Sequence, residues 1–190
     1  MLSDVYADID RDPDFAHLKT PGIHVVPGYG RETPGGILFI GEAPGEKENE
    51  TGVPFSGRAG EKLADLLDSI ELFATDFYLT NVLKHRPPNN RDPYPSEIRA
   101  AKPYLYREIL EIRPALIVPL GKIASGVFFP LAKFRDVRGR VHVIKGRRIL
   151  PLYHPAFACY NEGKPEELTV IREFSLIRSV YESGASANAL

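Results

Sequence analysis

A chain of 190 residues with 43% hydrophobic and 26% charged side chains has the balance of one globular domain with a real core. No apolar run approaches the roughly 20 residues that span a bilayer, and the acid-rich opening (Asp4, Asp8, Asp10, Asp12, Asp14) is unlike a secretion signal, so a cytoplasmic protein away from membranes is expected. One cysteine, Cys159, excludes an internal disulfide and a cysteine-only metal site, and the five histidines show no HxH or HxxxH pairing, so no metal is expected.

Basic and acidic residues number 24 and 25, a net charge of −1 that carries no global nucleic-acid signal. The distribution is uneven. Lys133, Arg135, Arg138, Arg140, Lys145, Arg147 and Arg148 face a single acid, Asp136, within 133–148. Lys84, Arg86 and Arg91 form a second cluster, and much of the acid lies near the N-terminus. This pattern permits a basic face; an ordinary solvated surface is the plainer alternative.

In chain order, residues 1–34, rich in Asp, Pro and Gly, read as an irregular or partly helical stretch, with 1–24 the lead-in to a single domain covering 1–190. Ile37-Leu38-Phe39-Ile40, between a glycine pair and Gly41, reads as a buried strand. Ala59, Leu63, Leu66, Leu67 and Ile70 recur at helical spacing and predict a helix over 58–71. Residues 77–82 read as a strand, and 84–95, with four prolines and two asparagines, as a loop. A helix follows over about 96–112, opened by Ser96 or Pro95 and kinked near Pro103. Residues 115–120 read as a strand, and Gly121 opens a helix ending near Phe129. Residues 141–144 and 148–152 predict paired or neighbouring strands around Gly146, 165–182 a last helix, and 184–190 a frayed end. Alternating strands and helices predict a three-layer α/β/α fold with a mostly parallel central sheet. In such a fold the ligand sits beyond the carboxyl ends of the strands.

Four segments carry chemistry, three of them directly after a strand. In Gly41-Glu42-Ala43-Pro44-Gly45-Glu46-Lys47-Glu48 the glycines let backbone amides approach a ligand and the carboxylates supply a candidate base, unless this is an ordinary acidic loop. Phe55, among the small and turn-forming residues of 52–60, is either a stacking platform for a flat ligand or a plug under the loop. Asn81 ends a strand, where its amide offers a donor and an acceptor to a base edge or serves the turn. Tyr153-His154-Pro155-Ala156-Phe157 presents His154 rigidly ahead of a proline, although a lone histidine is commonly structural.

In their order and spacing (GEAPG, PFxGRAG, TNxxKxRPPxNRDP, an apolar strand ending in LG, then YHPA) these segments resemble the family 4 uracil-DNA glycosylases from about residue 24 to residue 162. Residues 25–30 are similar to that family's opening segment. The resemblance implies a DNA-repair enzyme that flips uracil out of single- or double-stranded DNA and hydrolyses its glycosidic bond, working as a monomer. Carried over, Phe55 stacks on the flipped uracil, Asn81 pairs with its O4 and N3–H, and His154 faces O2. Gly41, Ala43 and Gly45 line the uracil pocket, and Glu42 or Glu48 orients the water, since other branches place an Asp where this chain has Ala43. Some relatives set a Tyr against the thymine methyl where this chain has Gly45, which leaves 46–48 as the candidate filter. Arg58, Lys84, Arg86, Asn90 and Arg91 are expected at the DNA, with Phe157 or Tyr160 filling the gap the base leaves or else packing in the core.

Family 4 members typically bind a [4Fe–4S] cluster through four cysteines. Here two of those positions are His85 and Ala101, the N-terminal pair falls at or near Pro13 and Ala16, and Cys159 matches none. Cluster ligation needs several thiolates, so no cluster is expected. A related branch that traps DNA covalently shares Lys84-His85 but adds a basic insertion that is missing here, so self-crosslinking is not expected. The competing reading is a DNA-binding relative whose catalysis has decayed. An unrelated phosphate- or nucleotide-handling hydrolase ranks last, for want of a GxxxxGK[ST] loop.

Overall fold

The structure, a computed structural model, describes residues 1–187. Its strands are β1 (Tyr29–Gly30), β2 (Ile37–Gly41), β3 (Phe77–Asn81), β4 (Leu116–Pro119), β5 (His142–Ile144) and β6 (Arg147–Ile149). The α-helices are α1 (Leu2–Arg11), α2 (Glu46–Thr51), α3 (Arg58–Asp68), α4 (Pro95–Ile112), α5 (Gly121–Phe128), α6 (Phe134–Val137), α7 (Pro155–Tyr160) and α8 (Pro165–Ala187).

The six strands form one sheet in the order β1-β3-β2-β4-β6-β5. β3, β2, β4 and β6 are mutually parallel, while β1 and β5 pair antiparallel at the two edges. The unbroken apolar run of β2 suits this central place, because a parallel strand covered on both faces needs no polar side. Its side chains alternate between two cores. Leu38 and Ile40 join Val5, Ile9, Phe15, Leu105, Ile109 and Ala124, from α1, α4 and α5 and the turn after α1. Ile37 and Phe39 join Leu63, Leu66, Leu67, Ala158, Phe174 and Ile177, from α3, α7 and α8. The result is the expected three-layer α/β/α arrangement.

Several boundaries and elements differ from the sequence reading. The lead-in opens with α1, which buries Val5 and Ile9 and packs on α4. α2 is wholly polar and so shows no apolar period. It forms because Gly45 caps its start and Gly52, at φ +72°, ends it. α3 ends at Asp68, earlier than the expected residue 71. α4 runs through Pro103. β5 and β6 form a hairpin whose two loop residues, Lys145 and Gly146, both have positive φ (+49° and +75°), the geometry that a tight hairpin favours. Of the end expected to fray, 184–187 continue α8, and residues 188–190 lie outside the described residues. No helix among the described residues is long and apolar enough to cross a membrane.

Candidate active site

Parallel pairing brings the richest segments to one edge of the sheet. Gly41 and Asn81 are direct partners at the ends of β2 and β3. The pairing continues past them, with the Val82 N–H donating to the Gly41 carbonyl and the Leu83 N–H to that of Glu42, both at 3.0 Å. On the other side of β2, Leu120 bridges Leu152, which carries His154 alongside Gly121. At φ +84°, Gly121 leaves only 3.2 Å between a notional Cβ and the Cβ of His154. These strand ends and the loops before α2 and α3 enclose a cleft of about 610 Å³ lined by Glu42, Ala43, Gly45, Phe55, Asn81 and His154, among others.

Glycines set how closely the cleft closes. A Cβ on Gly60 would stand 1.6 Å from the Phe55 carbonyl oxygen, so only glycine lets the start of α3 pass beneath Phe55, itself held at φ +58°. A Cβ on Gly41 would stand 2.2 Å from Asn81 Oδ1 and 2.7 Å from Phe55 Cζ. Phe55 lies nearly parallel to the His154 ring, with centroids 6.1 Å apart and planes at 23°. Asn81 is 5% exposed, and none of the described residues hydrogen-bonds its side-chain amide. Both its donor and its acceptor are therefore free for a ligand.

His154 caps α7, and its Nδ1 accepts the Ala156 N–H at 3.2 Å. An accepting Nδ1 is unprotonated, which assigns the ring proton to Nε2. Burial lowers the His154 pKa to about 4, so at neutral pH the ring is an uncharged donor. Its neighbours are clamped. The Tyr153 N–H donates to Glu173 at 3.2 Å, and Glu173 pairs with Arg138, whose guanidinium lies 4.2 Å from the centre of the Tyr153 ring.

Glu42 has the freer of the two carboxylates considered for orienting water. Burial, and then the charge of Asp92, push its pKa up to about 7. Glu48 spends both oxygens on backbone, accepting from Gly45 N–H at 3.1 Å and from Gly57 N–H at 3.2 Å. It therefore braces the two loops that frame the cleft, which departs from the reading of Glu48 as a base. Asp92 lines the cleft too, and sequence reasoning did not single it out.

Several residues expected at the DNA are engaged elsewhere. Lys84 is buried, with its ammonium against Glu108, and reaches no surface that a phosphate could touch. Arg91 grips Glu97 through two hydrogen bonds of 2.9 and 2.7 Å and stacks on Tyr94. Arg86 pairs with Glu46 at 3.2 Å and donates to Asn90 at 2.7 Å. Within the basic run, Arg138 serves Glu173 and Arg148 donates to the Val180 carbonyl. Arg58 is exposed, with only a loose pairing to Glu162 at 3.7 Å. Phe157 packs face to face on Tyr153, with centroids 4.4 Å apart, against the second core, whereas Tyr160 stands 79% exposed at the cleft.

A family model described as the uracil DNA glycosylase superfamily matches residues 27–174. The chain belongs to the uracil-DNA glycosylase superfamily. Several relatives bear the name type-4 uracil-DNA glycosylase. That of Archaeoglobus fulgidus is 43% identical, with 87% of this chain and 87% of the relative covered. That of Saccharolobus solfataricus is 45% identical over 73% of this chain and 68% of the relative. That of Thermotoga maritima is 38% identical over 75% and 76%.

The residues of this superfamily member do not fit the iron–sulfur cluster that the resemblance to family 4 implies. In the region of Pro13, Ala16, His85 and Ala101 the structure has an apolar plug. Phe15 is 2% exposed and lies against the rings of His85 and Tyr104, with centroids 5.7 and 6.2 Å away. Ala101 is buried in the same cluster. The single thiol, Cys159, sits on α7 and faces the Arg58 carbonyl.

Proposed function

We propose that the chain excises uracil from DNA by hydrolysis, releasing the free base and leaving an abasic site. The observation that carries this is the convergence of an uncharged Nε2–H donor on His154, an unpartnered Asn81 amide and the Phe55 ring on one cleft beside Glu42. The flipped uracil lies against Phe55, where stacking contributes roughly 1–3 kcal/mol. Asn81 Oδ1 accepts from N3–H and its NH₂ donates to O4. Cytosine offers the opposite pattern at these two positions and is refused.

As the bond from C1′ to N1 breaks, its electron pair leaves with the base and the charge spreads to O2, where the His154 Nε2–H donates. The sugar becomes cationic, water adds at C1′, and the Glu42 carboxylate stabilises that cation and takes the water's proton. The protein works as a monomer in the cytoplasm, on single- or double-stranded DNA, and needs no cofactor. Incubation with a uracil-containing oligonucleotide followed by alkali should cleave the strand at the uracil. Intact strands, together with retained DNA binding, would leave a binding protein.

The same reading predicts that Gly41→Ala, which drives a methyl into Asn81 and Phe55, slows single-turnover excision about tenfold or more while DNA affinity is kept. An unchanged rate would place base recognition elsewhere. Protein purified without oxygen should be colourless and free of iron. About four irons per chain, with the broad absorbance of a cluster, would refute the cofactor-free proposal.

A further inference from the structure

Beneath the cleft lies a buried polar cluster that the excision chemistry above leaves unused. Glu108 on α4 accepts through Oε1 from Tyr6 of α1 at 2.7 Å and from Thr80 of β3 at 3.0 Å, while its Oε2 stands 2.6 Å from the Lys84 ammonium. Lys84 also donates to the backbone carbonyl of Asn81. The two charged side chains are 2% and 0% exposed. A pair this deep is a poor source of stability, because the loss of hydration offsets the attraction. It does supply a fixed donor under one chosen carbonyl. That carbonyl belongs to the residue whose amide enters the cleft without a hydrogen-bond partner. The following peptides are already tied to β2 and Glu42 through the Val82 and Leu83 N–H groups, so Lys84 secures the remaining free corner of the turn.

We infer that Lys84, held by Glu108, is a positioning residue for base recognition: it fixes the Asn81 peptide and, through it, the direction of the Asn81 amide. The inference rests on the glycosylase reading. An amide turned about would present its donor to N3–H, so its orientation decides which base is read, and a misplacement of about 1 Å can cost roughly 10²-fold in rate.

Two double variants separate positioning from packing. Lys84→Met with Glu108→Gln removes both charges and the donor to Asn81. Lys84→Gln with Glu108→Gln removes both charges but keeps an N–H donor at residue 84. Each leaves a side-chain carbonyl for Tyr6 and Thr80. The two should unfold at similar temperatures and bind uracil-containing DNA alike, while the first excises about tenfold or more slowly than the second under single turnover. In an Asn81→Ala background that gap should close, because a residue acting through Asn81 has nothing left to act on. Equal rates, or a gap that survives Asn81→Ala, overturn the inference. So does failure of either double variant to fold, which makes the cluster a requirement of the fold alone. A wild-type chain that releases no uracil overturns the glycosylase reading instead, and the inference falls with it.

Discussion

Replacing His154 by alanine is expected to slow single-turnover release of uracil by roughly 10²–10³-fold, the usual cost of deleting one donor aimed at developing negative charge. DNA affinity should change little, because affinity comes mainly from phosphate contacts and the His154 hydrogen bond strengthens only as the bond to the base breaks. The direction follows from the tautomer. Nδ1 is occupied by the Ala156 N–H, so the ring offers Nε2–H, and a pKa near 4 keeps it neutral across the physiological range. A neutral imidazole can donate to O2 without having to lose a proton first. Asn81→Ala should impose a loss of similar size by another route: it leaves O4 and N3–H of a buried base unpaired. Excision and binding measured side by side decide the matter. If both variants excise as wild type does, the cleft is not where uracil is read.

The parts of this site that the sequence made legible are those governed by local rules. The apolar run of β2 predicted a buried strand, and the three segments that follow strands meet at one edge of the sheet, joined there by the loop between α2 and α3 that carries Phe55. Elements held by caps or by distant partners were not legible. α2 and α7 have six residues each and are set by Gly45 and His154 at their starts, so no periodicity announces them. Lys84 reads as a surface cation because it stands in a polar, proline-rich stretch. What buries it is Glu108 on α4, and nothing near Lys84 in the sequence signals that partner. The partners of Arg86 and Arg91 were hidden for the same reason, each being a carboxylate on a helix outside their own loop. Phe157 and Tyr160 lie on one short helix, and only its packing shows that the first faces Tyr153 and the second faces out. Asp92 had a place in a motif but no role until the fold set it close enough to Glu42 for its charge to be felt.

Asp92 therefore gives the role of Glu42 a sharper test than loss of activity alone. Glu42→Gln keeps the shape of the side chain but removes its charge, and should slow excision by roughly 10²–10⁴-fold, the range for losing a positioned acid–base group. The pH profile carries the finer distinction. Burial disfavours the ionised carboxylate and the negative charge of Asp92 disfavours it further, which puts the pKa of Glu42 near 7. Only the ionised form can accept the water's proton and face the sugar cation. At subsaturating protein, where the profile reports free-protein groups, the wild-type rate should rise with pH and level off above about 7. Asp92→Asn removes one of the two causes, so the pKa of Glu42 falls and the rising limb moves to lower pH, while the plateau is largely kept. In Glu42→Gln the limb should vanish, leaving a low rate that does not follow this titration. His154 cannot produce that limb, because its own titration lies near 4. A limb near 7 that persists in Glu42→Gln, or one that Asp92→Asn leaves in place, would show that another group controls the attacking water.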